Sequence, residues 1–249
     1  MQFETPLAAG LLTLALASLA VTATAGSPGH VREPEPNNTT VPADGPAYFT
    51  DALADLALDG REGTVHSLPD DGLPTLSNVD AVVLTGSTAG VYESDERPWL
   101  DDARLLARDL VARELPTLGV CFGHQLVNDA LGGTVEAGDQ RRGIADVDLG
   151  DDPLFEGVSG RIPMVHGDYV VAPGDRMVTV ASADYYDHLA TRHEDAPVWT
   201  VQYHPEFTAA LLDRIADDFG WPDDDADRDF GDVTADRTVE NFVAAAGLD

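Results

Sequence analysis

The residue types able to do chemistry gather in two short stretches of this 249-residue sequence. In Gly119-Val120-Cys121-Phe122-Gly123 two glycines flank one nucleophile-capable side chain, the spacing of a nucleophile elbow. Glycines let a backbone turn sharply from strand to helix, and the side chain between them is thrust out at the sheet edge. Cys121 is the single cysteine of the chain, so no internal disulfide claims it; a free cysteine is also a common small core residue. The second stretch is Gln202-Tyr203-His204-Pro205-Glu206. A cysteine nucleophile needs a base to hold it as thiolate, and the base needs a third group to orient it. His204 and Glu206, just past a strand end, can supply both. A lone histidine is more often structural, but His-Pro-Glu in a chain with a cysteine elbow points to a Cys-His-Glu triad.

Both stretches need elements that hold them. The apolar run 118–120 reads as a buried strand of a parallel sheet. Residues 122–131 follow as a helix closed by Gly132-Gly133; its N-terminus points at Cys121, where its partial positive charge favours the thiolate. An alternating strand over 198–203 delivers His204. Residues 79–85 form a further buried strand running into Gly86-Ser87, at the carboxyl end of the sheet where open α/β folds put their ligands. Ala47–Leu58 carries Phe49, Leu53 and Leu56 at helical spacing and ends near Gly60, a C-cap. Residues 64–68 are a short strand. Pro98 opens a helix whose apolar stripe is Trp99, Leu100, Ala103, Leu106, Leu110 and Val111. Strands are expected over 140–149 and 161–165, then an antiparallel extension over 177–182 and 188–193. Helices are expected over 207–219 and 234–246, joined by an acidic, mobile linker at 223–232. The expectation is an α/β fold: a three-layer, open, mostly parallel sheet flanked by helices, flavodoxin- or Rossmann-like.

Composition narrows the function. The formal net charge is −31, from 45 acidic against 14 basic residues, and every basic residue is arginine. Such a surface repels nucleic acid and anionic membrane. The acids are spread along the chain rather than blocked, which reads as adaptation to concentrated salt, where charge is screened over a few ångströms. A halophilic source is the corresponding expectation. Four of the seven histidines fall between 166 and 204, but no metal-ligand spacing repeats. No metal and no cofactor are expected.

The two reactive stretches, with Leu84-Thr85-Gly86-Ser87 and His166-Gly167-Asp168-Tyr169-Val170 beside them, resemble the class I (triad-type) glutamine amidotransferases. The four segments stand in the family's order across residues 79–207. The closest flavour is the free-standing amidotransferase related to GMP synthase. The resemblance implies that Cys121 attacks the glutamine side-chain amide, with His204 as base and Glu206 as its orienter. It also implies an oxyanion hole from the N–H groups of Gly86 and Phe122, and that Gln125, Gly167 and Asp168 hold the amino-acid end of the substrate. Where this chain has Thr85-Gly86-Ser87 the family usually has Gly-Gly-Pro. Val165 stands where members often carry Ser or Asn. His124 reads as structural, and Arg141 and Arg142 either reach a carboxylate or balance surface charge.

L-Glutamine is then the substrate. The sequence shows no Walker-type phosphate loop, so an ammonia acceptor is expected on a separate synthase chain. The alternatives are a stand-alone hydrolase of γ-glutamyl amides or peptides, and a non-catalytic or redox-sensing member of the fold. Residues 1–28 are an apolar, signal-like segment or a mis-assigned start, 29–220 the amidotransferase domain, and 221–249 an acidic linker with a last helix. Ala23-Thr24-Ala25 looks like a signal-peptidase site, but the first residues carry no positive charge. A cytoplasmic protein is expected, an exported one if residues 1–25 are a true leader. The first strand of the sheet is sought within 15–22, or in Val31-Arg32-Glu33, or is missing.

Overall fold

The run Val79–Leu84 (β3) buries Ala81 and Val83 in one apolar cluster and Val82 and Leu84 in another, so its sheet must be covered on both faces. The structure, a computed structural model, describes residues 10–15, 47–61, 63–221 and 227–248. Its elements are β1 (Gly10–Ala15), α1 (Ala47–Leu58), β2 (Gly63–Ser67), α2 (Leu68–Asp71), β3, α3 (Trp99–Ala112), β4 (Thr117–Val120) and α4 (Phe122–Ala130). Then come β5 (Thr134–Asp146), β6 (Asp148–Leu149), β7 (Arg161–Ala172), β8 (Met177–Ala183), β9 (Tyr186–His193), β10 (Val198–Val201), α5 (Ala209–Asp218) and α6 (Arg237–Ala245).

Eight strands form the main sheet in the order β2-β1-β3-β4-β10-β9-β8-β6. The first five are parallel, and β9, β8 and β6 continue antiparallel. The order β2-β1-β3-β4-β10 is the flavodoxin-like winding. β5 and β7 stand apart as a two-stranded antiparallel ribbon. One face of the sheet packs against α1 and α6 through Leu53, Ala57, Val239, Phe242 and Val243. The other packs against α2, α3 and α4 through Leu68, Leu100, Leu106, Leu110, Phe122 and Leu126. Helices on both sides of a mostly parallel sheet give the three-layer α/β architecture expected from the sequence.

Three expectations need correction. The sheet's first strand is β1, earlier than either stretch proposed for it, and it lies between β2 and β3. It therefore sets residues 10–15 inside the sheet rather than apart with 1–28. Residues 16–22 and 31–33 lie outside the described residues. Strand β7 does not stop at Val165 but runs through His166-Gly167-Asp168 to Ala172. The stretch read as a mobile acidic linker is partly tied down: Arg161 bonds both Asp227 and Asp232, while 223–226 lie outside the described residues. The final helix is no appendage either, since the Tyr203 hydroxyl, fully buried, meets Thr238 Oγ1 at 2.6 Å. Among the described residues no helix is long and apolar enough to cross a membrane.

Candidate active site

The elbow forms where β4 runs into α4. Cys121 sits between them with φ 54° and ψ −105°, a positive φ that strains any residue other than glycine and costs about 1–3 kcal/mol. The flanking glycines do not take positive φ themselves; they permit contact. A Cβ on Gly119 would come 2.7 Å from the Gly123 carbonyl oxygen, and one on Gly123 would come 2.5 Å from the Leu84 oxygen. Helix α4 thus starts hard against β3 and β4, and only bare backbone fits there. The Phe122 and Gly123 N–H groups open that helix, where the intrahelical ladder offers them no acceptor. The Phe122 ring is buried beneath, 5.9 Å from Trp99.

His204 follows β10, the strand beside β4. Its Nδ1 lies 2.7 Å from Glu206 Oε1, with both side chains buried. Its Nε2 lies 3.3 Å from the Val165 carbonyl, which also takes the Cys121 thiol at 3.8 Å. That shared main-chain oxygen brackets Cys121 and His204 and was invisible in the sequence, because any residue at 165 presents it. Gly86, at the end of β3, packs beside them: a Cβ there would lie 3.5 Å from His204 Cε1 and 3.9 Å from Cys121 Sγ. Burial pulls the His204 imidazolium down, but the Glu206 carboxylate, then Cys121, more than reverse this and hold its pKa up at about 10. Electrostatics therefore favour an imidazolium between two anions.

These groups lie along a cavity of about 470 Å³ that Gly86, Cys121, Gln125, Gly167, Asp168 and His204 help to line. Gln125, one turn into α4, donates from Nε2 to the Asp168 carbonyl at 3.4 Å and to Gln202 Oε1 at 3.2 Å. The Asp168 carboxylate accepts from the Tyr92 hydroxyl at 2.9 Å; burial raises its pKa and that bond works against the rise. Gly167 lies between His166 and Asp168 on β7. Burial lowers His166 to about 4, with its bond to the Asp168 backbone opposing and His204 adding to the fall, so it stands neutral at the wall. His124 faces away, bonded to Thr200 and Tyr186, and burial lowers it to about 3, as a structural residue requires. Arg141 lies over the Tyr185 ring at 4.2 Å and lines the same cavity. An aromatic side to the cavity, formed by Phe49, Phe207, Phe219 and Trp221, was missed: in sequence these rings look like ordinary core positions of α1 and α5.

Known proteins share this arrangement of elements. The family model "Glutamine amidotransferase class-I" matches residues 55–219. The chain is 40% identical over 156 residues to a free-standing glutamine-hydrolyzing GMP synthase subunit of Halobacterium salinarum, covering 60% of this chain and 79% of that protein. It is 35% identical over 151 residues to the glutamine-hydrolyzing GMP synthase of Thermotoga sp. strain RQ2, where the match covers 59% of this chain but only 28% of the relative. Among solved structures, a glutamine amidotransferase from Thermotoga maritima superposes with TM-score 0.56 at 25% identity, over 62% of this chain and 69% of that one. A glutamine amidotransferase from Methylobacillus flagellatus shares the fold with TM-score 0.66 at 18% identity, over 96% and 94% of the two chains.

Proposed function

The chain belongs to the class-I glutamine amidotransferase family, and on that premise we propose that it hydrolyses the side-chain amide of L-glutamine and passes the ammonia to a separate synthase chain. Cys121 Sγ, as thiolate, attacks the amide carbon. The oxyanion of the tetrahedral intermediate takes hydrogen bonds from the Gly86 and Phe122 N–H groups, an arrangement in which one donor is worth roughly 3 kcal/mol. His204 Nε2 gives its proton to the departing nitrogen, and ammonia leaves. Water then attacks the γ-glutamyl thioester, His204 takes the proton from that water, and glutamate is released as the carbon–sulfur bond breaks. Glu206 holds the imidazole by Nδ1 throughout. Gln125, Gly167 and Asp168 hold the amino-acid end of the substrate.

The observation that carries this reading is His204 standing between the Glu206 carboxylate and the Cys121 thiol, beside the Gly86 backbone, at the wall of a cavity. The GMP synthase subunit of Halobacterium salinarum supports a separate acceptor chain. The net charge of −31 and the unpaired Cys121 fit a reducing, salt-rich cytoplasm. The test is ammonia release from L-glutamine by the purified chain in molar KCl, beside Cys121→Ala. Release that vanishes in the variant is expected. Release unaffected by Cys121→Ala sinks the nucleophile assignment.

A further inference from the structure

Glutamine leaves much of the cavity unexplained. At about 470 Å³ the space falls within the ~300–1,000 Å³ of sites that hold drug-sized ligands, whereas glutamine has only about ten non-hydrogen atoms. The surplus has a definite chemistry. The Phe207 ring stacks on the His204 imidazole at 4.1 Å and 11°. Phe49 lies 5.7 Å from Phe207 and 6.3 Å from His204, Phe219 lies 6.5 Å from Phe49, and Trp221 lies 6.1 Å from Phe219. Arg142 rests over the Trp221 ring at 5.3 Å. An unbroken row of rings thus starts on the group that protonates the leaving nitrogen and extends along the cavity. Phe219 is 39% exposed, although a ring serving only as core would be covered.

The geometry points to a subsite for the apolar body of a leaving amine, so that the chain hydrolyses γ-glutamyl amides of arylalkyl amines as well as glutamine. This rests on Cys121 as nucleophile and His204 as proton donor. Since His204 Nε2 must reach the leaving nitrogen, any substituent on that nitrogen starts beside His204, where the ring row begins. Ammonia is small and strongly hydrated and gains nothing from such a wall; a phenyl group buries apolar surface against it. The reaction balances without a co-reactant. The C–N bond breaks, the His204 proton goes to the amine, and water supplies the hydroxyl that releases glutamate from Cys121.

The test compares γ-glutamyl-methylamide with γ-glutamyl-phenethylamide, whose leaving amines are both primary alkylamines. Glutamate release is followed with the wild type, and binding is measured calorimetrically with Cys121→Ala, both in molar KCl. The phenethylamide is expected to bind on the order of tenfold more tightly and to show a correspondingly higher kcat/KM, the range one apolar pocket contact gives. Phe219→Ala and Trp221→Ala, at the exposed end of the row, are expected to bring the phenethyl-to-methyl ratio toward one. Equal binding of the two amides overturns the subsite, as does a preference untouched by both variants. The two readings separate cleanly. Turnover of glutamine and methylamide with no phenethyl preference removes the subsite alone. A phenethyl preference in binding, with no Cys121-dependent release from any amide, removes the catalytic reading and leaves the subsite.

Discussion

Glu206→Gln isolates the charge that holds the candidate site in its reactive form. The amide keeps an oxygen able to accept the His204 Nδ1–H across the present 2.7 Å but removes the negative charge. The rise of His204 from 6.5 to about 10, won against burial by Glu206 first and Cys121 second, corresponds to roughly 5 kcal/mol in favour of the imidazolium. With the carboxylate gone, burial prevails, the imidazole becomes neutral near pH 7, and the Cys121 thiolate loses its counter-charge. Two assays read this out. Glutaminase kcat is expected to fall by ~10²–10⁴, the scale set when the orienting carboxylate of a triad is neutralised. Alkylation of Cys121 by iodoacetamide near pH 7 is expected to slow at least ~10-fold, and the single cysteine makes that signal unambiguous. Stability carries a third signature. A raised His204 contributes stability in full below 6.5 and loses it as pH rises through about 10, so the variant's stability should vary less between those limits. Wild-type alkylation and turnover in a folded Glu206→Gln protein would refute the account of why His204 is protonated.

Further expectations concern single contacts. Gly123→Ala pushes a methyl into the Leu84 carbonyl at 2.5 Å and is expected to cost about 1–3 kcal/mol or prevent folding; Gly86→Ala, whose nearest new contact is 3.5 Å, should keep its melting temperature while losing activity. His124, lowered to about 3 chiefly by burial and next by His166, contributes stability above 6.5 that is lost as pH falls toward 3. In His124→Gln, the slope of unfolding free energy between pH 6 and 4 is therefore expected to be shallower by about 1 kcal/mol per pH unit, measured by denaturant titration. Thr238→Val leaves the buried Tyr203 hydroxyl without its 2.6 Å partner and should destabilise by about 1–3 kcal/mol, seen as a lower melting temperature with unchanged secondary structure.

What the sequence revealed and what it hid divide along a physical line. Cys121, His204 and Glu206 stood out because their side-chain types are rare in that pattern and glycine and proline punctuate the strand ends around them. The parallel strands β3 and β4 stood out because strands buried on both faces read as continuous apolar runs. That same property concealed β1: an uncharged leucine-rich run near an N-terminus has the composition of a leader and of a central strand alike, and only its pairing with β2 and β3 separates them. The elbow glycines were found for the wrong reason, since turning falls to Cys121 itself and the glycines admit the Gly123 and Leu84 backbone. The Val165 carbonyl could not be seen at all, because a main-chain oxygen has no side-chain identity. The aromatic wall was hidden differently. Phe207 and Phe49 follow core spacing, and core packing is part of what they do; their second face, toward His204, depends on how the ends of α1 and α5 meet, which no local period encodes. Residues that serve packing and cavity at once are thus where a sequence reading finds the reaction yet leaves the leaving group's surroundings blank.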